Sequence, residues 1–200
     1  NFGGSEALDE KGQFKSQSEE DRVRHLYMEA VRLFECRKPI VGAIEGPAIG
    51  GGLGLAMVPD FRVTCPEARF AANFTRLGFH PGFGLTETLP AVIGQQNANL
   101  MFFTSRRFKG DEAHAMGLAD VLVAQEDVRA SAHALAREIA ENSPLGVVET
   151  RATIREGLAD RVRAATAREL EIQKRLKATA DFKEGVKAMA ERRAPNFIGA

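Results

Sequence analysis

The 200-residue sequence has no tryptophan, one tyrosine and two cysteines. Cys36 and Cys65 form neither a CxxC pair nor a disulfide framework, so they read as ordinary thiols of a reducing compartment. No apolar stretch reaches the ~18 residues that a membrane span requires. The opening "NFGGSEALDEKGQF" lacks the basic start and apolar core of a signal peptide, and a cytoplasmic protein is expected. An excess of charge is missing too. The 27 Lys plus Arg balance 27 Asp plus Glu, leaving no overall field to favour nucleic acid or an anionic membrane as partner. His25, His80, His114 and His133 show no metal-ligand spacing, and there is no GxSxG elbow, which argues against a metal centre or a serine triad.

What is present is a chain that is 44% hydrophobic, enough to bury one sizeable core. Residues 4–20 are polar and weakly periodic, and read as a loop or lid. Over 19–38, Val23, Leu26, Tyr27, Ala30, Val31 and Phe34 recur at spacings of three and four, predicting a helix that Pro39 ends. Residues 40–45, "IVGAIE", predict a buried strand, followed by a Gly46-Pro47 turn and a helix reaching about Val58. "FRVTC" and "ARFAAN" predict two further strands, and "LADVLVA" (118–124) another. Helices are expected over 85–93, 95–104, 110–117, 126–142, 144–158, 161–179 and 181–193. Strands early and helices late describe a mixed α/β fold with a helical C-terminal appendage. The Arg, Lys and Glu of that appendage suggest a solvated or oligomer-facing surface. Arg151, Arg155, Arg161, Arg163 and Arg168 are interleaved with Glu156, Asp160 and Glu169, so they make no basic stripe for RNA.

The stretch "EGPAIGGGLGLAMVPDF" (45–61) carries three consecutive glycines and a fourth at Gly54. Glycines at i, i+2 and i+5 would mark a dinucleotide site, but Leu55 and Met57 stand where the third is needed. A phosphate loop would need lysine where Gly52 stands. What remains is backbone chemistry: N–H groups at a helix start can stabilise an oxygen that becomes negative during a reaction. Gly54 inside a helix costs about 1 kcal/mol relative to alanine, so either a close-approaching group or tight packing has to account for it.

Four stretches, "KPIVGAIEGPAIGGGLGLAMVPDFRV", "ARFAANFTRLGFHPGFGLTETLPAVIG", "TSRRFKGDEAHAMGLADVLV" and "DFKEGVKAMAERRAPNF", resemble in order the crotonase superfamily, the enoyl-CoA hydratase/isomerase family. Its members bind acyl-CoA thioesters and stabilise a thioester enolate. The resemblance implies an α/β spiral of β-β-α turns over 1–142, and a helical region over 143–200 that builds trimers or dimers of trimers. The family's first strands are expected upstream of Asn1. No cofactor beyond the CoA of the substrate is implied.

By the same resemblance, one oxyanion N–H falls on Gly51. The other falls on the Glu6 amide in "FGGSEAL", where Ser5 and Ala7 depart from the family's F-x-A-G-x-D-L. Gly50, Leu53, Gly54, Asn73, Phe74, Phe79, Gly82 and Phe83 are expected around the acyl group. The two glutamates of a hydratase are replaced by Gly54 and Phe74, which disfavours addition of water to an enoyl thioester. His80 in "GFHPG" is a candidate acid or base; Glu87 and Glu6 are weaker ones. "ANFxxxGFxPGxG" is similar to crotonase-fold decarboxylases. The expected activity is therefore that of a lyase or isomerase on an acyl-CoA or acyl-carrier thioester. Decarboxylation or C–C cleavage is the enzymatic alternative, and a non-catalytic acyl-CoA-binding or scaffold subunit the alternative of another class.

Overall fold

The computed structural model of the protein describes residues 25–200. The described chain opens on α1 (Leu26–Ala30), whose first turn is capped by the His25 ring accepting from the Tyr27 N–H at 3.2 Å. It then tightens into a 3-10 segment, Val31–Glu35. Of the helix expected over 19–38, residues 19–24 lie outside the described residues, and the described part ends at Glu35, three residues early, after tightening to 3-10 geometry.

Among the described residues two three-stranded sheets follow, and the first four strands alternate between them. β1 (Val41–Ile44) lies in the first and β2 (Pro47–Ile49) in the second, before α2 (Gly51–Ala56) returns the chain. β3 (Phe61–Thr64) then pairs parallel to β1, Val41 opposite Phe61, and β4 (Arg69–Ala71) parallel to β2, Pro47 opposite Arg69. This repetition is the spiral of β-β-α turns. After α3 (Leu85–Thr104), β5 (Phe108–Lys109) pairs antiparallel to β4; α4 (Gly110–Ala115) leads to β6 (Val121–Leu122), which pairs parallel to β3.

The expected Gly46-Pro47 turn is corrected: Pro47 begins β2. That strand lies at the edge of its sheet, and the first residue of an edge strand tolerates a missing N–H. β5 was too short to leave a periodic signal. α3 joins the two helices expected over 85–93 and 95–104 across a kink at Gly94, with φ 76° and ψ 159°.

α5 (Val128–Ala140), α6 (Pro144–Ile154), α7 (Leu158–Leu176) and α8 (Ala180–Ala190) match the expected helices to within a few residues at their ends. They are not a freely solvated appendage. Val162, Thr166, Glu169 and Gln173 form a buried stripe along α7, spaced four, three and four apart. That face packs on α1, the 3-10 segment and α3, and α8 packs on the Thr75–Leu77 turn. Among the described residues, no helix is long and apolar enough to cross a membrane.

The main core centres on the fully buried Leu53, Phe70, Leu85, Leu89, Met101 and Leu118. A smaller cluster of Val31, Phe34, Val58, Phe83 and Val162 joins the α1 region to α7. An ion network ties α6 to the sheets. Arg151 Nε donates to both Asp60 oxygens at 3.0 Å, Arg155 approaches Asp60 at 3.4 Å, and Asp60 also accepts from the Ile40 N–H at 2.8 Å. Both guanidinium groups are largely shielded from water, with Arg151 only 8% exposed. Removing the shared carboxylate leaves two poorly hydrated cations facing each other, and breaking such a buried pair costs about 3–5 kcal/mol. Asp60→Ala is expected to lose stability on that scale in urea unfolding; a loss below about 0.5 kcal/mol, the range of ordinary surface changes, would show that α6 is held by packing alone.

Candidate active site

The strand-turn-helix unit β2-α2 sets the geometry of the glycine run. Gly50 adopts φ 58°, a conformation that favours glycine, and donates its N–H to the Ala71 carbonyl at 2.9 Å. Its own carbonyl accepts from Leu53 and Gly54 at 3.0 and 3.2 Å. The N–H groups of Gly51 and Gly52 have no acceptor among the described residues. Gly51 is buried and Gly52 exposed. A buried, uncommitted amide at the start of α2 is thus where the resemblance expects an oxyanion donor.

Two glycines of this run, and Gly82 beyond it, are covered by aromatic side chains of the same chain. A Cβ on Gly51 would stand 2.8 Å from the Tyr27 hydroxyl. On Gly54 it would stand 2.4 Å from Phe83 Cγ, far inside van der Waals contact, and on Gly82 it would stand 2.6 Å from Gln173 Nε2 and 2.7 Å from Tyr27 Cε2. The Tyr27 and Phe83 rings meet at 5.2 Å. Of the two explanations for Gly54, packing is the observed one: the Phe83 ring lies on its bare Cα.

Phe83 is buried at φ 66°, rare for a bulky residue. Phe74 lies in the main core at 3% exposure, and Phe79 bridges from it to α8, with ring centroids 5.5 Å from Phe74 and 5.3 Å from Phe182. Leu53 is fully enclosed in the core and lines no open surface. Asn73 is half-buried, its Oδ1 3.2 Å from where a Gly50 Cβ would stand. Both positions that a hydratase would give to carboxylates are therefore apolar and closely packed.

His80 is half-buried, with Nδ1 2.8 Å from the Pro81 carbonyl, an acceptor that makes Nδ1 the donor. None of its hydrogen bonds reaches Gly51. Glu87 pairs with Arg161 at 2.8 Å on the outside of the protein. Glu6 lies outside the described residues.

Sequence reasoning passed over the residues of α1 and α7 that complete the site. Glu169 is 1% exposed and accepts from the Gly84 N–H at 2.7 Å, the Thr86 N–H at 2.9 Å and the Thr86 hydroxyl at 2.6 Å. It closes the N-terminus of α3 immediately after Phe83. Burial raises its carboxyl above the ordinary value, while the Thr86 and Gly84 hydrogen bonds and the nearby His80 oppose the rise. Gln173, one turn further on, donates Nε2 to the His80 carbonyl at 2.8 Å. Burial, and then the charge of Glu169, raise the Tyr27 phenol above its ordinary value. A polar residue recurring on an otherwise buried stripe was the available signal for Glu169; for Tyr27 it was its being the sole tyrosine.

No group of three or more His, Cys, Asp or Glu able to hold a metal occurs among the described residues. Two clefts lie away from Gly51. One of about 310 Å³ is lined by Asp181, Glu184, Arg193 and Asn196, and one of about 210 Å³ by Phe34, Cys36, Arg151 and Arg155. The Arg193–Glu184 ion pair lines the first, Arg151, paired to Asp60, lines the second, and neither contains a residue of the glycine run.

The contact at Gly54 is testable by a double-mutant cycle. Gly54→Ala is expected to destabilise by about 1–3 kcal/mol through overpacking, and to cost little once Phe83→Gly has removed the ring and its Cβ. Urea unfolding of the four proteins checks this; a coupling energy near zero, where contacting residues show about 0.5–3 kcal/mol, would show that the crowding relaxes without cost.

The Enoyl-CoA hydratase/isomerase family model matches residues 5–200. The chain is 35% identical over 168 residues to the crotonyl-CoA hydratase of Syntrophomonas wolfei, covering 84% of this chain and 65% of that protein. It is 33% identical to the short-chain-enoyl-CoA hydratase of Clostridium acetobutylicum, over 81% of this chain and 62% of that protein. The chain thus spans a little under two thirds of the length of both relatives. Among solved structures, an enoyl-CoA hydratase/isomerase from Pseudoalteromonas atlantica T6c superposes with TM-score 0.77 at 34% identity, over 86% of this chain and 67% of that one. An enoyl-CoA hydratase from Mycobacterium avium subsp. paratuberculosis K-10 superposes with TM-score 0.81 at 26% identity, over 92% and 76%. With the spiral of strands and the matched length both in agreement, the chain belongs to the enoyl-CoA hydratase/isomerase family, the crotonase superfamily.

Proposed function

We propose that the protein acts on an acyl-CoA thioester and holds the enolate of its acyl group on the Gly51 amide, in a reaction other than hydration. The names of the relatives support a CoA thioester as substrate. The observation that carries the departure from hydration is the Phe83 ring seated on Gly54. Adding water to a double bond calls for groups that hold the water and move its protons, each contributing about 10²- to 10⁴-fold. Here one carboxylate position is filled by Phe83 and the other is the core residue Phe74.

Loss of CO₂ from a malonyl-type thioester creates the enolate without that pair of carboxylates; cleavage of a β-ketoacyl thioester ends in the same enolate, but only after water has added to the β-carbonyl to carry off the acyl fragment. In decarboxylation the electrons of the breaking C–C bond pass to the α-carbon and the thioester oxygen, and no base is needed to generate them. Apolar walls favour this step, because a carboxylate leaving water is destabilised and CO₂ is not. The oxygen that gains charge then needs N–H donors, and one such donor is worth roughly 3–4 kcal/mol of barrier. The resemblance also supports the Glu6 amide as second donor and a homotrimer or dimer of trimers as the assembly.

A panel of crotonyl-, methylmalonyl- and β-ketoacyl-CoA followed by mass spectrometry tests this reading. Methylmalonyl- or β-ketoacyl-CoA is expected to lose a carbon fragment while crotonyl-CoA stays unhydrated; rapid hydration would refute the reading of Gly54 and Phe74. Tight CoA binding without turnover of any thioester would favour a non-catalytic subunit. Within the panel, Gly51→Pro removes the N–H and should lower kcat/KM by about 10²- to 10³-fold. Gly51→Ala keeps the N–H and adds the same Cβ against Tyr27, so it separates loss of the donor from crowding.

A further inference from the structure

We propose that Tyr27 is the proton donor of this site, its hydroxyl protonating the α-carbon of the thioester enolate held at Gly51. The inference rests on the thioester reading above and deepens it. The Tyr27 ring spans the two glycine backbones that flank the site. Its Oη, Cε1 and Cζ lie 2.8, 3.2 and 3.3 Å from where a Gly51 Cβ would stand, and its Cε2 and Cδ2 lie 2.7 and 3.1 Å from the corresponding point on Gly82. Any side chain at either position would displace the phenol, so the two glycines keep room for it beside the uncommitted Gly51 N–H.

The ring is held from several sides. The His25 side chain caps the Tyr27 N–H and packs edge-on at 5.1 Å, and Phe83 packs at 5.2 Å. Two other polar side chains of the site are already engaged: Glu169 by three donors, and His80 by Pro81 through its ring and by Gln173 through its carbonyl. The Tyr27 hydroxyl donates to no acceptor among the described residues. Burial and the Glu169 charge keep the phenol protonated, as a donor must be before the enolate forms.

The step balances without an added reactant. The C–CO₂ bond breaks and leaves its electron pair on the enolate. As that pair forms the new Cα–H bond, the Tyr27 O–H bond breaks, the thioester carbonyl re-forms, and the phenolate recovers a proton from water.

Turnover of methylmalonyl-CoA in D₂O reads the step directly. The unaltered protein is expected to give propionyl-CoA carrying one deuterium in a single configuration. Tyr27→Phe, which retains the packed ring, should lower kcat about 10²- to 10⁴-fold with KM little changed, and its residual product should carry deuterium in both configurations. A purely structural role would not randomise the configuration. Tyr27→Phe giving product at the unaltered rate and configuration overturns the proposal while leaving the thioester reading in place, as does randomisation in His80→Ala alone. An unaltered protein that releases no CO₂ from methylmalonyl-CoA, when the thermal unfolding midpoint shows it folded, overturns both the decarboxylation reading and the role of Tyr27.

Discussion

The site is organised by aromatic rings packed onto bare backbone. Phe83 lies on Gly54, and Tyr27 lies across Gly51 and Gly82, at distances that leave no room for a methyl group. Each contact fixes two segments far apart in sequence, so the loop at 82–84 and the first turn of α2 are located by the same two side chains. Protein interiors resist the loss or gain of even one methylene, and a glycine pinned by a ring is correspondingly hard to replace. The glycine run is therefore as much a packing surface as an approach for a ligand oxygen. Gly50 supplies the unusual backbone turn, Gly51 the uncommitted N–H, and Gly54 the seat for Phe83.

The second constraint comes from the C-terminal half. Glu169 and Gln173 of α7 reach the backbone on both sides of Phe83, through the Gly84 and Thr86 N–H groups and the His80 carbonyl. Phe182 of α8 presses on Phe79. A buried carboxylate is costly unless it is hydrogen-bonded, and the three donors at the start of α3 meet that need while satisfying N–H groups that the helix cannot bond itself. Phe83 holds φ 66°, a conformation of order 1–3 kcal/mol less favourable than its ordinary alternatives. Neighbours that bond the residues immediately around it are what maintain such a conformation. The helical region over 143–200 is thus a structural part of the site.

Much of this was legible in the sequence, and the rest was hidden for identifiable reasons. Period-3.6 patterning found α3, α5, α7 and α8 because each buries one face, whereas α6 buries only Arg151 and is held by its ion pair; the match of four ordered motifs carried the spiral, which periodicity alone does not encode. β2 was hidden by Pro47, which looks like a turn until its place at a sheet edge is known. β5 holds two residues, below the length at which alternation can be read, whereas β6 lies inside the strand expected over 118–124 and keeps only Val121 and Leu122 of it. At the site, Gly51, Gly54 and Phe74 were singled out from the sequence, and the structure packs an aromatic ring on each of the two glycines and buries Phe74 in the core. The cause of Gly54, a ring 29 residues further along the chain, could not be read from local spacing. Leu53 was placed near the substrate because it sits within the motif, yet helix geometry turns it into the core. Glu169 lay in a run of mixed charges that reads as solvated surface, and only its position on the α7 stripe distinguishes it.

The chemistry suited to this arrangement follows from what its walls can stabilise. The described residues around Gly51 bring neutral dipoles together: its own buried N–H, the exposed N–H of Gly52 and a half-buried phenol. Neutral donors in a poorly hydrated site stabilise a charge that appears briefly on a substrate oxygen, and they do so without solvent reorganisation at the moment of reaction. They do little for a reaction whose difficult step is deprotonating water. A substrate that brings its own charge, loses it as CO₂ and leaves a transient enolate places its electrostatic demand where this backbone is fixed, on the amide that Gly50 turns inward and beside the ring that Gly51 and Gly82 leave room for.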